Sequence, residues 1–509
     1  MGCEKSVISL KNASVAKDDS APKATFPRLC LIAVSKDNDV YTTLLAKEHL
    51  MPYQTINPFN NKLIKEYQTH NDQQVEQTLS AAHALYKSEW AQGDISQRLK
   101  VLHKLSDIMS SRVEELAKIV SVEMGKLIEQ SRAEVKLCAQ IAQYYADNAE
   151  AFLKPVPYKS SLGEAWVEHS PIGIIMAVEP WNFPFFQLMR VLAPNLAAGN
   201  SVIVKHAGIV PHCAETFEKL VTEAGAPKGA YTNLFISQDQ VADIIEDDRV
   251  QGVALTGSEK AGAIVATKAA SKLKKSTLEL GGNDIFAVLE DADIDHAAEA
   301  GAQARLSNAG QVCTAAKRFI LHEKIADEFL KKFTAHFNAL KIGDPLDSST
   351  TLGPLSSADA LKTLTKQVEQ AVKNGAKVHV GGKAVANNPG NFYEATILTH
   401  ITRDNPAYFE EFFGPVAQIY VVKNDDELVK LANDSNYGLG GALFTKDMKR
   451  ARKLATQIET GMLYVNSPSD TAPELPFGGV KRSGFGRELS DLGIKEFVNQ
   501  KLVVLTAKS

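Results

Sequence analysis

Cysteine is scarce and scattered in this chain. There are five in 509 residues, Cys3, Cys30, Cys138, Cys213 and Cys313, with no Cys-X-X-Cys pair. An odd number at such spacing excludes a disulfide framework and offers no zinc-type ligand pattern. It fits reduced thiols in the cytoplasm or in a mitochondrial matrix, and the cytoplasm is the expectation. A surplus of basic charge is also missing: the net charge is −4, so nothing drives phosphate neutralisation, and a nucleic-acid partner is not expected. Long apolar runs are absent too. The stretch at residues 29–34 is typical of the longest, far below the roughly 20 residues of a membrane-spanning helix. No low-complexity segment or short repeat interrupts the chain.

Residues 1–48 carry no sustained periodicity and no apolar stretch of secretory type, and their acids (Glu4, Asp18, Asp19, Asp37, Asp39) disfavour a mitochondrial transit peptide. The opening Met1-Gly2-Cys3-Glu4-Lys5-Ser6 matches an N-myristoylation pattern, with Cys3 as a palmitoyl site. The expectation is a disordered extension, with membrane association only if that glycine is lipidated.

What is present, from Tyr53 onward, is the text of folded α/β domains. A chain of this length exceeds one core, so two or three domains are expected. Ile95, Leu99, Leu102, Leu105 and Met109 recur at helical steps, and helical pattern continues to about residue 151, where Pro155 and Pro157 break it. Residues 158–171 read as extended. Short β-branched runs at 173–178, 201–205, 233–236 and 250–255 then alternate with helical pattern such as 212–224. That alternation predicts parallel βαβ units in a doubly wound sheet. A second series, with a strand at 284–289 and helices at 325–340 and 358–374, predicts a second α/β domain.

Cys313 stands in Asn308-Ala309-Gly310-Gln311-Val312-Cys313, behind a polar, glycine-containing turn, and Glu279-Leu280-Gly281-Gly282 lies 34 residues earlier. A thiol and a carboxylate beside permissive glycines suggest a nucleophile and a base. A lone cysteine is more often a core residue, but amides and glycine around this one serve no apolar packing. No histidine sits in a recognisable partner motif for a cysteine hydrolase. In Glu179-Pro180-Trp181-Asn182-Phe183-Pro184 the prolines stiffen an aromatic turn, and the Asn182 amide can serve as a preorganised donor to an oxyanion or simply as part of a turn. The GxGxxG fingerprint is absent. Thr256-Gly257-Ser258-Glu259-Lys260-Ala261-Gly262 follows a strand instead, which suits either a phosphate-holding loop or a structural turn. Lys205 ends another strand, where ligands bind in open α/β sheets.

Together with Glu410-Glu411-Phe412-Phe413-Gly414-Pro415 and Pro476-Phe477-Gly478-Gly479, these six motifs stand in an order that resembles the NAD(P)-dependent aldehyde dehydrogenase superfamily over residues 53–505. The resemblance implies an aldehyde-dehydrogenase-like α/β fold: a Rossmann-type cofactor domain (49–148 and 173–280), an α/β catalytic domain (281–489) and a small β oligomerisation flap (149–172 and 490–509). It implies Cys313 as nucleophile, Asn182 as oxyanion donor with the Cys313 N–H, and Glu279 as the base that activates water. Lys205 would reach the adenosine ribose, with Gly257 and Ser258 near the diphosphate. Glu411 would hold the nicotinamide ribose beside Phe413, and Trp181 and Leu280 would flank the nicotinamide. Glu488 would assist proton movement or, the preferred reading, brace the C-terminal segment. No metal is required, and a homodimer or homotetramer is implied.

Val204-Lys205-His206-Ala207 and Leu475-Pro476-Phe477-Gly478-Gly479 resemble the succinate-semialdehyde dehydrogenase branch. Arg190, eight residues after Asn182, stands where such members carry an arginine, and its planar fork suits a substrate carboxylate. The alternative is that Arg190 braces its helix. Val191 replaces a frequent lysine, Ser307 replaces a second clamp arginine, and the direction of Arg305 is open. Thr471 is expected at the substrate mouth. The glutamate that many NAD-preferring relatives carry three residues beyond the ribose lysine is Gly208 here, so both NAD and NADP are admitted. The expected reaction is succinate semialdehyde to succinate. Broad short-chain aldehyde oxidation and a non-catalytic use of the fold are the alternatives.

Overall fold

The structure, a computed structural model, describes residues 53–506. The expectations for residues 1–48, including lipidation at Gly2 and Cys3, lie outside the described residues.

Two parallel sheets carry the architecture. The first runs in the order Gly484–Phe485, Lys275–Glu279, Val250–Thr256, Ile174–Glu179, Ser201–His206 and Tyr231–Asn233. The last five are parallel to their neighbours. Their nearly continuous apolar sequences, such as Ile-Ile-Met-Ala-Val in Ile174–Glu179, are buried on both faces, as helices packed above and below require. The second sheet has seven strands, with Ile285–Val288 and Arg318–His322 at its centre. The expected α/β architecture with two such sheets is present.

Three details differ from the sequence reading. The paired strand near residue 233 is Tyr231–Asn233. The apolar Leu234–Phe235–Ile236 run is buried beyond it, where the Tyr53 hydroxyl donates to the Ile236 carbonyl at 2.8 Å. The extended segment at 158–171 is two strands, Val156–Tyr158 and Glu164–Pro171, which form a three-stranded antiparallel sheet with Val498–Leu505. Pro157 sits on the edge strand, where a missing N–H breaks no ladder. Finally, Gly484–Phe485 pairs antiparallel with Lys275–Glu279, so a segment expected in the second domain adds a strand to the first sheet.

The helix Pro184–Ala198 is buried along its whole length. Pro184 occupies its first turn, where a missing N–H costs nothing. Gly199 ends it at φ +100, with a Cβ position only 2.7 Å from the Ala91 carbonyl, so only glycine closes the helix here. This burial fixes the surroundings of Arg190. No helix among the described residues is long and apolar enough to cross a membrane.

Candidate active site

Cys313 lies at the end of a left-handed passage. Asn308, Ala309 and Gly310 have φ of +51, +51 and +77, a run that side-chain-bearing residues adopt only when their surroundings hold them. The holding contacts are specific. A Cβ on Gly310 would lie 2.2 Å from the Gly414 carbonyl. Arg305, fully buried, points inward and donates to the Gly310 carbonyl at 2.5 Å. Lys317, also buried, donates to the carbonyls of Val312 and Cys313.

The Asn182 turn meets this loop directly. Asn182 Nδ2 donates to the Gln311 carbonyl at 3.0 Å, Gln187 Nε2 donates to Asn182 Oδ1 at 3.3 Å, and Asn308 Nδ2 donates to the Asn182 carbonyl at 2.9 Å. The amide is thus oriented, and its second N–H has no acceptor among the described residues. The Cys313 N–H makes no hydrogen bond among the described residues. Burial pushes the Cys313 thiol up to about 12, while Lys317 and Arg190 pull it down.

Glu279 ends the strand Lys275–Glu279, and its carboxyl is buried with no hydrogen-bond partner on either oxygen among the described residues. It lies against Gly478, where a Cβ would come within 2.7 Å of Oε1. Burial, and then the charge of Glu488, hold this carboxyl well above the usual range, against the pull of Arg190 and Arg487.

The residues expected at the cofactor sit at the carboxyl ends of the first sheet and on the facing domain. Lys205 is mostly buried, with its ammonium 5.7 Å from the Tyr53 ring centre, and burial lowers its pKa. It forms no ion pair among the described residues, which fits a role toward a ligand. The Gly208 carbonyl accepts from Gln54 N at 3.1 Å. A Cβ on Gly257 would meet only Leu255 Cδ2, at an ordinary 3.8 Å, and Ser258 caps the helix Glu259–Ser271 by accepting from Ala261 N. That arrangement leaves room and a helix N-terminus for a diphosphate. Leu280 N donates to the Ser483 carbonyl, and Gly262 gives the Leu280 side chain room to pack. Glu411 is paired with Lys317 at 3.1 Å and accepts from Gly282 N at 3.1 Å. Phe413 meets Trp181 edge to face, with centroids 5.7 Å apart.

The chain matches the model of the aldehyde dehydrogenase family over residues 45–503. The chain belongs to that family. A succinate-semialdehyde dehydrogenase (NADP+) of Deinococcus radiodurans is 45% identical over 452 residues, which are 89% of this chain and 94% of the relative. A probable succinate-semialdehyde dehydrogenase (NADP+) of Synechocystis is 43% identical, with 89% and 99% covered. The crystal structure of succinic semialdehyde dehydrogenase from Streptococcus pyogenes in complex with NADP+ superimposes with a TM-score of 0.88 at 47% identity, covering 89% of this chain and all of that one.

Within this aldehyde dehydrogenase, Arg190 already has a partner. Its guanidinium is only 2% exposed and ion-paired with Glu488, and it donates to Thr256 Oγ1 at 3.0 Å. A substrate carboxylate at Arg190 would have to compete with Glu488. The helix-bracing alternative accounts for these contacts as they stand. Thr471 lies half-buried in the loop before Pro476, its N–H on the Asp470 side chain, and no hydrogen bond among the described residues joins it to Cys313 or Arg190. Sequence reasoning misses Lys317, although it stands four residues after Cys313 and links the thiol loop to Glu411. Also missed is Glu134, which accepts from the Phe185 and Phe186 N–H groups and pairs with buried Lys126. Glu134 is one charged residue in the helix Ile128–Phe152, and Lys317 stands in the loop just before the strand Arg318–His322, so neither carries a pattern of its own.

Proposed function

We propose that this protein oxidises succinate semialdehyde to succinate with NADP or NAD, through an acyl thioester on Cys313. The observation that carries the substrate is the similarity, at 41–47% identity over 89% of the chain, to proteins named for that reaction. Cys313 adds to the aldehyde carbon as thiolate, and Asn182 with the Cys313 N–H receives the oxyanion. The nicotinamide, when bound, supplies the hydride acceptor. Lys205, Gly208, Gly257, Ser258, Leu280, Trp181, Glu411 and Phe413 hold it in place. Glu279 then takes a proton from water as that water attacks the thioester. NADP is the preferred reading, supported by Gly208 and by the NADP-named relatives.

The engagement of Arg190 by Glu488 favours one second reading, broad short-chain aldehyde oxidation without a guanidinium clamp. A panel of charged and neutral aldehydes with NAD and NADP tests both. A kcat/KM for succinate semialdehyde at least tenfold above butanal supports the first; parity supports the second. We further infer a homodimer or homotetramer in the cytoplasm. The exposed Val156, Tyr158 and Leu502 share one face of the three-stranded sheet, an apolar surface suited to a second copy.

A further inference from the structure

Glu179 is a buried carboxyl with no role in the account so far. It ends the strand Ile174–Glu179, and neither of its oxygens has a hydrogen bond among the described residues. Its place in the sheet is specific. Val178 is in register with Leu255, and Thr256 with Glu279. Partners in register on parallel strands project to the same face. Glu179, Thr256 and Glu279 therefore form a row across three adjacent strands, with the threonine hydroxyl in the middle. Arg190 reaches into this row and donates to Thr256 Oγ1 at 3.0 Å.

We propose that Glu179 and Glu279 share a single proton through the Thr256 hydroxyl, so that Glu279 serves as base while Glu179 holds the proton. The hydroxyl has the inventory for this. One lone pair accepts from Arg190, the other accepts from a protonated Glu279, and its own hydrogen passes to Glu179. One O–H bond breaks and one forms at each transfer: the acid at Glu279 and the carboxylate at Glu179 exchange forms, and the hydroxyl is regenerated.

Charge balance supports one shared proton. The groups facing the row are Arg190 from the helix above, Arg487, Glu488 and Glu496 from the C-terminal segment, and Tyr231 from the strand Tyr231–Asn233. His206 Nδ1 lies 3.1 Å from the Glu179 carbonyl rather than its carboxyl. Lys275 offsets Glu496 at 3.0 Å, and two guanidinium charges face the other three carboxyls. With Glu488 ionised against Arg190, one negative charge remains for the pair, because buried carboxyls without a counter-charge take up protons. Burial, followed by the charge of Glu488, holds Glu179 well above the usual range, while Arg190 and the Thr256 hydroxyl act the other way. The Thr256 hydroxyl is thus near enough to favour the charged form, although no hydrogen bond of good geometry is made in this structure.

The proposal rests on Glu279 being the hydrolytic base. The test follows decay of the acyl enzyme by quenched intact mass, in the full chain after a pulse of succinate semialdehyde and NADP, between about pH 5 and pH 9. Glu179→Gln keeps a neutral group beside Glu279, as the shared proton does, so the acid limb of the decay rate stays in place. Thr256→Val removes a donor to the ionised pair, and the limb moves to higher pH, while Thr256→Ser leaves it in place. A limb that moves to lower pH by about one pH unit in Glu179→Gln shows that an ionised carboxylate was removed, and overturns the proposal. If Glu179→Gln does not fold, an unmoved limb in Thr256→Val overturns it, and an upward shift there that Thr256→Ser reverses supports it. Normal decay in Glu279→Gln sinks the base assignment instead, so the two failures are distinguishable.

Discussion

Arg190 and Glu488 form a buried ion pair, with the guanidinium carbon 4.9 Å from the Phe186 ring centre and 4.7 Å from that of Phe477. The pair joins the helix that follows Asn182 to the C-terminal segment that follows Gly478. Removing one member strands the other without a counter-charge, at a cost of about 3–5 kcal/mol. Arg190→Met is therefore expected to lower the melting temperature and to reduce kcat/KM for succinate semialdehyde and butanal by similar factors. A selective loss for succinate semialdehyde, with stability intact, would instead favour a substrate clamp.

Cys313 is held as a thiol by burial, with its pKa pushed up to about 12 and Lys317 the largest influence pulling it down. Below that value the thiolate fraction rises tenfold per pH unit. Alkylation of the cofactor-free protein by iodoacetamide at Cys313, measured by peptide mass mapping, is expected to climb with that slope from neutral pH upward. Lys317→Met removes the nearby positive charge and is expected to slow alkylation at every pH tested.

Gly478 leaves room for the Glu279 carboxyl by lacking a side chain. A Cβ there would stand 2.7 Å from Glu279 Oε1 and 2.9 Å from the Gly486 carbonyl, so Gly478→Ala displaces the carboxyl. Thioester hydrolysis is expected to slow roughly 10²-fold, the low end for a misplaced general base. The initial burst of reduced cofactor should persist, as rapid mixing would show.

Gly208 stands three residues beyond Lys205. Gly208→Glu sets a carboxylate where a 2′-phosphate would approach, and like charges in close contact cost several kcal/mol. The KM for NADP should rise by about tenfold or more while that for NAD changes little.

The two parallel sheets were legible because strand and helix periodicities alternate cleanly from residue 173 onward. Cys313, Glu279 and Asn182 were legible because each stands in a polar, glycine- or proline-rich string that core packing does not explain. Three things were not. The strand Gly484–Phe485 has only two residues, and its pairing with Lys275–Glu279 is a long-range contact without periodic signal. The partner of Arg190 stands almost 300 residues later, and nothing local marks Glu488 as buried. Glu179 reads as a strand-end glutamate, ordinarily solvated; it is buried where the helix Pro184–Ala198, itself buried along its whole length, packs against its strand.

The central claim is that Cys313 carries the acyl group and Glu279 releases it by way of water. Glu279→Gln, mixed with succinate semialdehyde and NADP and quenched in acid, tests it most directly by peptide mass spectrometry. The account predicts one succinyl group per chain, on the peptide containing Cys313, with about one equivalent of reduced cofactor formed and little turnover after it. Full turnover with no acylated peptide, or acylation of a different residue, would contradict it.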